Sequence, residues 1–375
     1  MRVALFSGNY NYLREGANQA LNKLVRYLEE CEGCEVRAYS PVTDTPAFEP
    51  AGTLIPVRSV RLPVRGEFRL ALDLPRNVRR NLEQFCPDLI HVSTPDILGT
   101  RAQTFARKLK VPIVASMHTR FETYLDYYGL GWARPAVEAH LNRFYRRSDH
   151  VLAPTPGLAS ELKAIRGDDR VSVWSRGIDR DQFRPERRDR EWRCAQGLSD
   201  DDVVVLFFGR LVLEKGVDTF VSVVRALQEK VPAKALVVGA GPAADAFRSL
   251  EGTVLTGHLD GPALGRAVAS ADVMLCPSTT EAFGNVVLEA MACALPVVSA
   301  DAPSARMLLT DGCTGFLCHP CDVPGYIEKM TALAASPEMR REMGTAARAA
   351  SESYSWNAAS QSVARVYRAL SVQCH

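Results

Sequence analysis

Short runs of β-branched residues alternate along the chain with stretches in which apolar positions recur every three or four residues. Arg2–Ser7 reads as a strand, and residues 16–30 read as a helix with Ala20, Leu21, Leu24 and Leu28 on one face. Glu35–Tyr39, Asp88–Ser93 and Pro112–His118 read as strands, with a helix over Ile97–Leu109. Val151–Pro154 and Val171–Trp174 are shorter strands. This alternation predicts a parallel sheet with helices on both faces. It breaks over Ser175–Ser199, an Arg/Asp/Pro-rich stretch of little apolar periodicity that reads as a linker. It restarts at Val203–Phe208 and continues through a helix from Gly216 and strands at Ala235–Val238, Thr253–Leu255 and Asp272–Cys276. A helix near Asn285–Cys293 and a strand at Pro296–Ala300 follow. Ser355–Leu370 closes the chain as an amphipathic helix. The expected fold class is α/β, with two Rossmann-like, doubly wound domains over residues 1–177 and 178–354. Open parallel sheets bind ligands outside the carboxyl ends of their strands. Two such edges facing each other would form a cleft.

The length of 375 residues suits two domains, and 47% apolar with 23% charged residues excludes a disordered, collagen-like or coiled-coil chain. No apolar run approaches the ~18 residues of a membrane span. The first residues read as a strand rather than a signal peptide, so the expected address is cytoplasmic. The ten cysteines include two C-x-x-C pairs, Cys31/Cys34 and Cys318/Cys321. A zinc site would need both pairs to converge from opposite ends of the chain. A redox pair should open a helix after a strand, whereas Cys31/Cys34 follows a helix. The cysteines therefore read as small buried residues or idle thiols, and no metal site is expected. Residues 1–177 hold 25 Lys/Arg against 19 Asp/Glu, and residues 178–375 hold 20 against 24, so the halves differ in charge.

Three motifs carry candidate chemistry, each just after a predicted strand. Glu281-Ala-Phe283-Gly284-Asn285-Val286-Val-Leu-Glu289 spans a loop and the start of a helix. A helix N-terminus offers unbonded N–H groups and a positive dipole end to a phosphate. Glu289, just over one turn inside, can accept two hydroxyls of a ribose. Taken alone, the pair reads equally well as two unrelated glutamates. Gly209-Arg210-Leu-Val-Leu-Glu-Lys215-Gly216 sets two cations on one strand-to-helix loop, as a diphosphate leaving group requires, or as an ordinary solvated loop would. Val238-Gly239-Ala-Gly241-Pro242 is a fragment of a dinucleotide fingerprint without its third glycine, weak by itself.

In this order the three motifs resemble the retaining nucleotide-sugar glycosyltransferases of family 4, which have the GT-B architecture. The resemblance covers essentially the whole chain. Arg176-Gly-Ile-Asp179 with Phe183-x-Pro185 resembles the family hinge, and Thr314-Gly-Phe-Leu317 a late strand. The helix after Tyr354-Ser-Trp356 resembles the one that crosses back to the first domain, so 355–375 would join residues 1–177. The resemblance implies that Arg210 and Lys215 neutralise the donor diphosphate and that Glu289 holds the ribose. Glu281, with the backbone of Phe283, Gly284, Asn285 and Val286, would hold the transferred sugar and distal phosphate. Gly239 and Gly241 would line the nucleotide. His118, which taken alone reads as structural, matches the family histidine that reaches the donor sugar. Gly16 would let the first helix approach the phosphates. The chain departs from the family in Arg14-Glu-Gly16-Ala-Asn18, where paired glycines are common, and in Asp301-Ala-Pro-Ser-Ala-Arg306, which lacks a Gly-Gly-x-x-Glu.

These parts imply metal-independent, front-face transfer with retention from a UDP- or GDP-linked sugar, with no cofactor. The acceptor is expected to be a membrane lipid. Arg58–Arg80 holds seven arginines interleaved with Val60, Leu62, Val64, Phe68, Leu70, Leu72 and Leu74, which suits an anionic membrane surface or, equally, a solvated loop. The run from His118-Thr-Arg-Phe121 to Tyr127-Tyr128-Gly-Leu-Gly-Trp132 looks most like glycolipid-forming mannosyl-, glucuronosyl- and sulfoquinovosyl-transferases. This places the chain peripherally on the inner face of the plasma membrane. A soluble or carrier-linked saccharide acceptor is the alternative. An epimerase or a non-catalytic sugar-nucleotide-binding module is the alternative of another class. No nucleic-acid partner is expected, because the basic stretch lacks a recognisable fold context.

Overall fold

The computed structural model describes residues 1–62, 66–120, 123 and 129–372. Val64, Phe121, Tyr127 and Tyr128, named above, lie outside the described residues, as do one of the seven arginines, Arg65, and one of the ten cysteines, Cys374. The chain divides into two compact units, Met1–Gly177 with Trp356–His375, and Ile178–Ser355.

The first unit is built on a seven-stranded parallel sheet. Its strands are β1 (Arg2–Phe6), β2 (Glu35–Ser40), β3 (Thr53–Pro56), β6 (Leu89–Val92), β7 (Ile113–Ser116), β8 (His150–Ala153) and β9 (Val171–Val173), ordered β3-β2-β1-β6-β7-β8-β9. A small antiparallel hairpin, β4 (Val60–Arg61) with β5 (Arg69–Leu70), interrupts the sequence between β3 and β6. The central strands are buried on both faces, which is why they read as continuous apolar runs. The helix Gly16–Glu32 buries Leu21, Leu24, Val25 and Leu28. Against the same core the terminal helix Trp356–Val372 lays Ala359, Val363, Ala364 and Tyr367.

The second unit repeats the plan with β10 (Val203–Phe208), β11 (Ala233–Val238), β12 (Val254–Gly257), β13 (Val273–Cys276), β14 (Val297–Ala300) and β15 (Gly315–Cys318). Their order is β12-β11-β10-β13-β14-β15. In both sheets the order reverses beside the first strand, between β1 and β6 and between β10 and β13. Such a switch point opens a crevice at the strands' carboxyl ends.

The stretch Ser175–Ser199 is not a linker. Ile178, Phe183 and Leu198 are buried in the second core, and a short helix spans Arg190–Ala195. Its anchor is a fully buried arginine. Arg193 donates to Ser270 O at 2.8 Å, Ser199 O at 2.7 Å and Asp202 O at 3.1 Å, and it pairs with Asp272 at 3.1 Å. A segment held by a polar anchor carries no apolar period, so hydrophobic patterning could not reveal it.

Candidate active site of the second unit

Two loops meet at the β10/β13 switch point. After β10 the chain passes Gly209 and Arg210, makes a 3-10 turn over Leu213–Lys215 and enters the helix Val217–Gln228. After β13 it passes Pro277 and Glu281 and enters the helix Asn285–Ala292. A Cβ on Gly216 would stand 2.9 Å from Pro277 O, so the loops touch backbone to backbone. Thr280 Oγ1 donates to Glu214 O at 3.2 Å. Lys215 Nζ lies 2.5 Å from Glu281 Oε1, with 16% and 19% of the side chains exposed. This charge-assisted bond holds a cation and a carboxylate at the mouth of the crevice.

The caps of the two helices set the local electrostatics. Gly216 (φ 75°) and Gly284 (φ 96°) occupy the N-cap positions in left-handed conformation, and neither helix has a side-chain cap. Only glycine adopts that backbone at little cost, and it brings no side-chain oxygen to the first-turn N–H groups. Asn285 Oδ1, in the first turn, is buried without a hydrogen-bond partner. A buried acceptor of that kind calls for a donor such as a hydroxyl. Glu289 is half-buried one turn further in, and its charge adds to burial in pushing the Cys293 thiol up. Arg210 is likewise half-buried.

Gly239 and Gly241 have a packing reason of their own. A Cβ on Gly239 would lie 1.8 Å from Gly209 O, and one on Gly241 would lie 2.3 Å from Leu211 O. Ala240 O accepts from Leu211 N at 3.0 Å, and Ala243 N donates to Leu211 O at 2.9 Å. The β11 loop therefore buttresses the Arg210 loop by close backbone approach.

The first unit's switch point is built differently. The helix Gly16–Glu32 is closed by a capping box in which the Glu15 carboxylate faces the first turn and Asn18 Oδ1 accepts from Glu15 N at 3.0 Å. The helix Ile97–Leu109 is capped by Asp96, whose Oδ1 accepts from Gly99 N at 2.7 Å, and burial pushes that acid up to about 6. Both helix ends at this crevice thus carry their own carboxylate. Beside it opens a cavity of about 500 Å³, lined by Leu70, Asp96, Ile97, Thr100, Arg101 and His140. Thr100 Oγ1 is buried there without a partner. No pattern in the sequence marks this cavity, which gathers residues from three separate segments.

His118, two residues beyond β7, has both ring nitrogens engaged within the first unit. Ser116 Oγ lies 2.8 Å from Nε2, and Arg176 Nη2 lies 3.0 Å from Nδ1. Each C-x-x-C pair has one buried and one exposed member. No group of three or more His, Cys, Asp or Glu among the described residues is placed to hold a metal.

Two doubly wound parallel-sheet units, with a cationic loop beside an uncapped helix end at the second switch point, define an α/β protein with a place suited to a phosphate. Comparison with known proteins fixes the family. The Glycosyltransferase Family 4 model matches residues 14–182, and the Glycosyl transferases group 1 model matches residues 188–350. The sulfoquinovosyl transferase SQD2 of Arabidopsis thaliana is 31% identical, over 96% of this chain and 72% of its own. The alpha-monoglucosyldiacylglycerol synthase of Streptococcus pneumoniae is 27% identical, over 90% and 80%. In structure, HepE of Anabaena in complex with UDP and glucose superposes with a TM-score of 0.76 at 18% identity, over 98% of this chain and 100% of that one. The chain belongs to the family 4, group 1 glycosyltransferases and is a glycosyltransferase acting on nucleotide sugars.

Proposed function

We propose that the protein transfers a sugar from a nucleoside-diphosphate donor to a membrane lipid with retention of configuration. The observation that carries the donor side is the Lys215–Glu281 pair set between two helix ends opened by glycine. Breaking the sugar–phosphate bond puts negative charge on the diphosphate and positive charge on the anomeric carbon. Stabilising the leaving group is the largest lever. Lys215 and Arg210 neutralise it, the N–H groups of Asn285 and Val286 receive the distal phosphate, and Glu289 holds the ribose. Glu281, freed from Lys215 as phosphate takes its place, holds the sugar hydroxyls beside Phe283 and Gly284. The diphosphate oxygen accepts the acceptor's proton on the face it leaves. Two fixed cations supply the charge a metal would otherwise bring, so transfer is metal-independent. Gly239 and Gly241 act by shaping the Arg210 loop. Gly16 is left out of the donor site, because Glu15 already puts a carboxylate where a phosphate would sit.

The lipid reading is supported by the first unit. Within Arg58–Arg80, Val60 and Leu72 are 47% and 55% exposed, and Arg58, Arg61, Arg76 and Arg80 are exposed as well. Cationic and apolar side chains presented together suit an anionic bilayer surface. The cavity near Arg101 and His140 offers room for a headgroup. The relative from Streptococcus pneumoniae is named for a glucosyl lipid product. No helix among the described residues is long and apolar enough to cross a membrane, so contact would be made at the surface.

The test is thermal stabilisation by UDP, GDP and ADP, with and without magnesium, in the wild type, Lys215→Ala and Glu289→Ala. Stabilisation by one diphosphate without magnesium, lost in both variants, is the expected result. Acceptor-dependent diphosphate release with phosphatidylglycerol vesicles carrying diacylglycerol then tests the acceptor. Release with a soluble saccharide instead would overturn the lipid reading.

A further inference from the structure

The cavity of the first unit has a chemistry of its own. It lies where the β4–β5 hairpin meets the helices Ile97–Leu109 and Arg134–Arg146, and it holds about 500 Å³. Asp96 caps the first of these helices, and Thr100 and Thr104 follow at intervals of four, so the three stand along one side of it. All three line the cavity, over about 12 Å of helix axis. Thr104 is satisfied in both directions. Its hydroxyl donates to Thr100 O at 3.0 Å and accepts from Arg147 Nη2 at 2.9 Å. Thr100, one turn earlier, does neither: its Oγ1 is buried and has no hydrogen-bond partner among the described residues. A buried hydroxyl in that state is rare and calls for a partner from outside the chain.

The two ends of that row differ in charge. At one end Asp96 Oδ1 accepts from Gly99 N at 2.7 Å. A carboxylate accepts up to about four bonds, so capacity is left for a hydroxyl. His140 Nε2 lies 2.8 Å from Pro95 O, so it donates there and leaves Nδ1 for a second partner. At the other end stand cations. Arg147 lines the cavity, and burial together with the like charges of Arg107 and Arg143 lowers its pKa. An anion bound among these three relieves their repulsion. Arg101 also lines the cavity and is paired with Asp73 at 3.4 Å, with 58% and 54% of the side chains exposed. An exposed pair of that length contributes little, so Arg101 can exchange Asp73 for a stronger anion.

We propose that this cavity binds a small polyol carrying a phosphate ester, with Arg101 and Arg147 on the phosphate and Thr100 and Asp96 on the polyol hydroxyls. A phosphate offers enough oxygens to take a guanidinium fork from each of two arginines, whereas the two oxygens of a carboxylate serve one. The acidic end makes a bare anion the poorer ligand, because it repels a second charge and accepts from a hydroxyl. The source of the ligand rests on the lipid reading above. On that reading it is the glycerophosphate headgroup of an acidic phospholipid, presented at the bilayer surface. Leu70, which walls the cavity, pairs across the hairpin with Val60, 47% exposed, so the cavity opens beside the apolar and cationic surface already described.

The experiment titrates the full-length protein with glycerol 3-phosphate, inorganic phosphate and glycerol by calorimetry. In parallel it measures flotation with vesicles of phosphatidylglycerol in phosphatidylcholine. Glycerol 3-phosphate should saturate a single site, inorganic phosphate should bind about tenfold more weakly or worse, and glycerol should give no binding. Lys215→Ala should leave this binding unchanged, which separates it from the donor site. Thr100→Val keeps the side-chain shape and removes the hydroxyl, and Arg101→Gln removes the exchangeable cation. Each should weaken glycerol 3-phosphate on the order of tenfold, and vesicle binding with it. The melting temperature of Thr100→Val should not fall, because no hydrogen bond within the chain is lost. Arg80→Gln, on the exposed stretch, should weaken vesicle binding and leave glycerol 3-phosphate affinity as it was. Equal affinity for the two phosphates, or affinity unmoved by Thr100→Val and Arg101→Gln, overturns the proposal. Vesicle binding with no glycerol 3-phosphate site overturns it as well, and leaves the lipid reading standing. Saturable glycerol 3-phosphate binding without vesicle binding upholds the cavity and sinks the lipid reading.

Discussion

The two sheets share one strand order and end at their switch points in opposite chemistry. In the first unit both flanking helices carry a carboxylate at the N-cap, Glu15 and Asp96. In the second both begin at a left-handed glycine with no side-chain cap, Gly216 and Gly284, and a lysine stands beside them. A doubly wound sheet supplies a crevice and two helix dipoles at a predictable place. Whether that place receives an anion is decided by what occupies the first turns. The first unit has spent its helix ends on its own acids, and the second has left them open.

The strongest way to break this comparison is Lys215→Ala. It removes the cation at the open end and leaves Glu281 without that partner. Donor turnover should fall by about 10²–10³-fold, as for loss of one oriented charge-stabilising group, read as diphosphate release with acceptor present. A smaller loss would mean that Arg210 and the helix ends suffice. Gly284→Asp gives the second unit the first unit's cap. Diphosphate affinity should drop at least tenfold by thermal shift, while Gly284→Asn, which bears a similar backbone strain without the charge, should lose far less. Equal losses in the two variants would show that backbone strain, not charge, governs the site.

Acid should separate the units next. His91, His118 and His150 of the first unit are all held below the ordinary value by burial, His91 to about 3 and His150 to about 4. A histidine lowered in the fold binds its proton more readily when unfolded, so the stability it contributes is present above 6.5 and is lost as pH falls toward the folded value. Asp96, raised to about 6, opposes this, because the folded acid holds its proton between 3.8 and 6 and gains stability as pH falls. Three groups against one give a net loss of first-unit stability as pH falls from 6.5 to 5. Amide exchange at pH 5 should therefore open β6 to β8 before the second sheet. The smallest effect is expected from Glu15→Ala, which breaks the capping box. It should cost ~1 kcal/mol of first-unit stability by denaturant titration and leave diphosphate affinity unchanged. A gain in affinity would mean that the first helix end does reach the phosphates.

The alternation of strands and helices, the two-sheet plan and the motifs after β10, β11 and β13 were legible because each is a local pattern. The helices Pro156–Arg166, Val323–Ala335 and Pro337–Ser351 were not read from the sequence, although Thr155, Asp322 and Ser336 cap them and proline stands in the first turn of each. The sequence by itself determined that Lys215 and Glu281 would sit on loops at strand ends, since a strand followed by glycine and a helix leaves little other place for them. Only the tertiary structure decided that the two, 66 residues apart, meet as an ion pair. The same holds for the packing of Gly239 and Gly241 on a neighbouring loop, for Arg193 anchoring the stretch that reads as a linker, and for His118 between Ser116 and Arg176. Those contacts join residues distant along the chain through donors and acceptors. Hydrogen bonding, unlike burial, leaves no period in a sequence, because its partner is chosen by direction and distance in the folded chain.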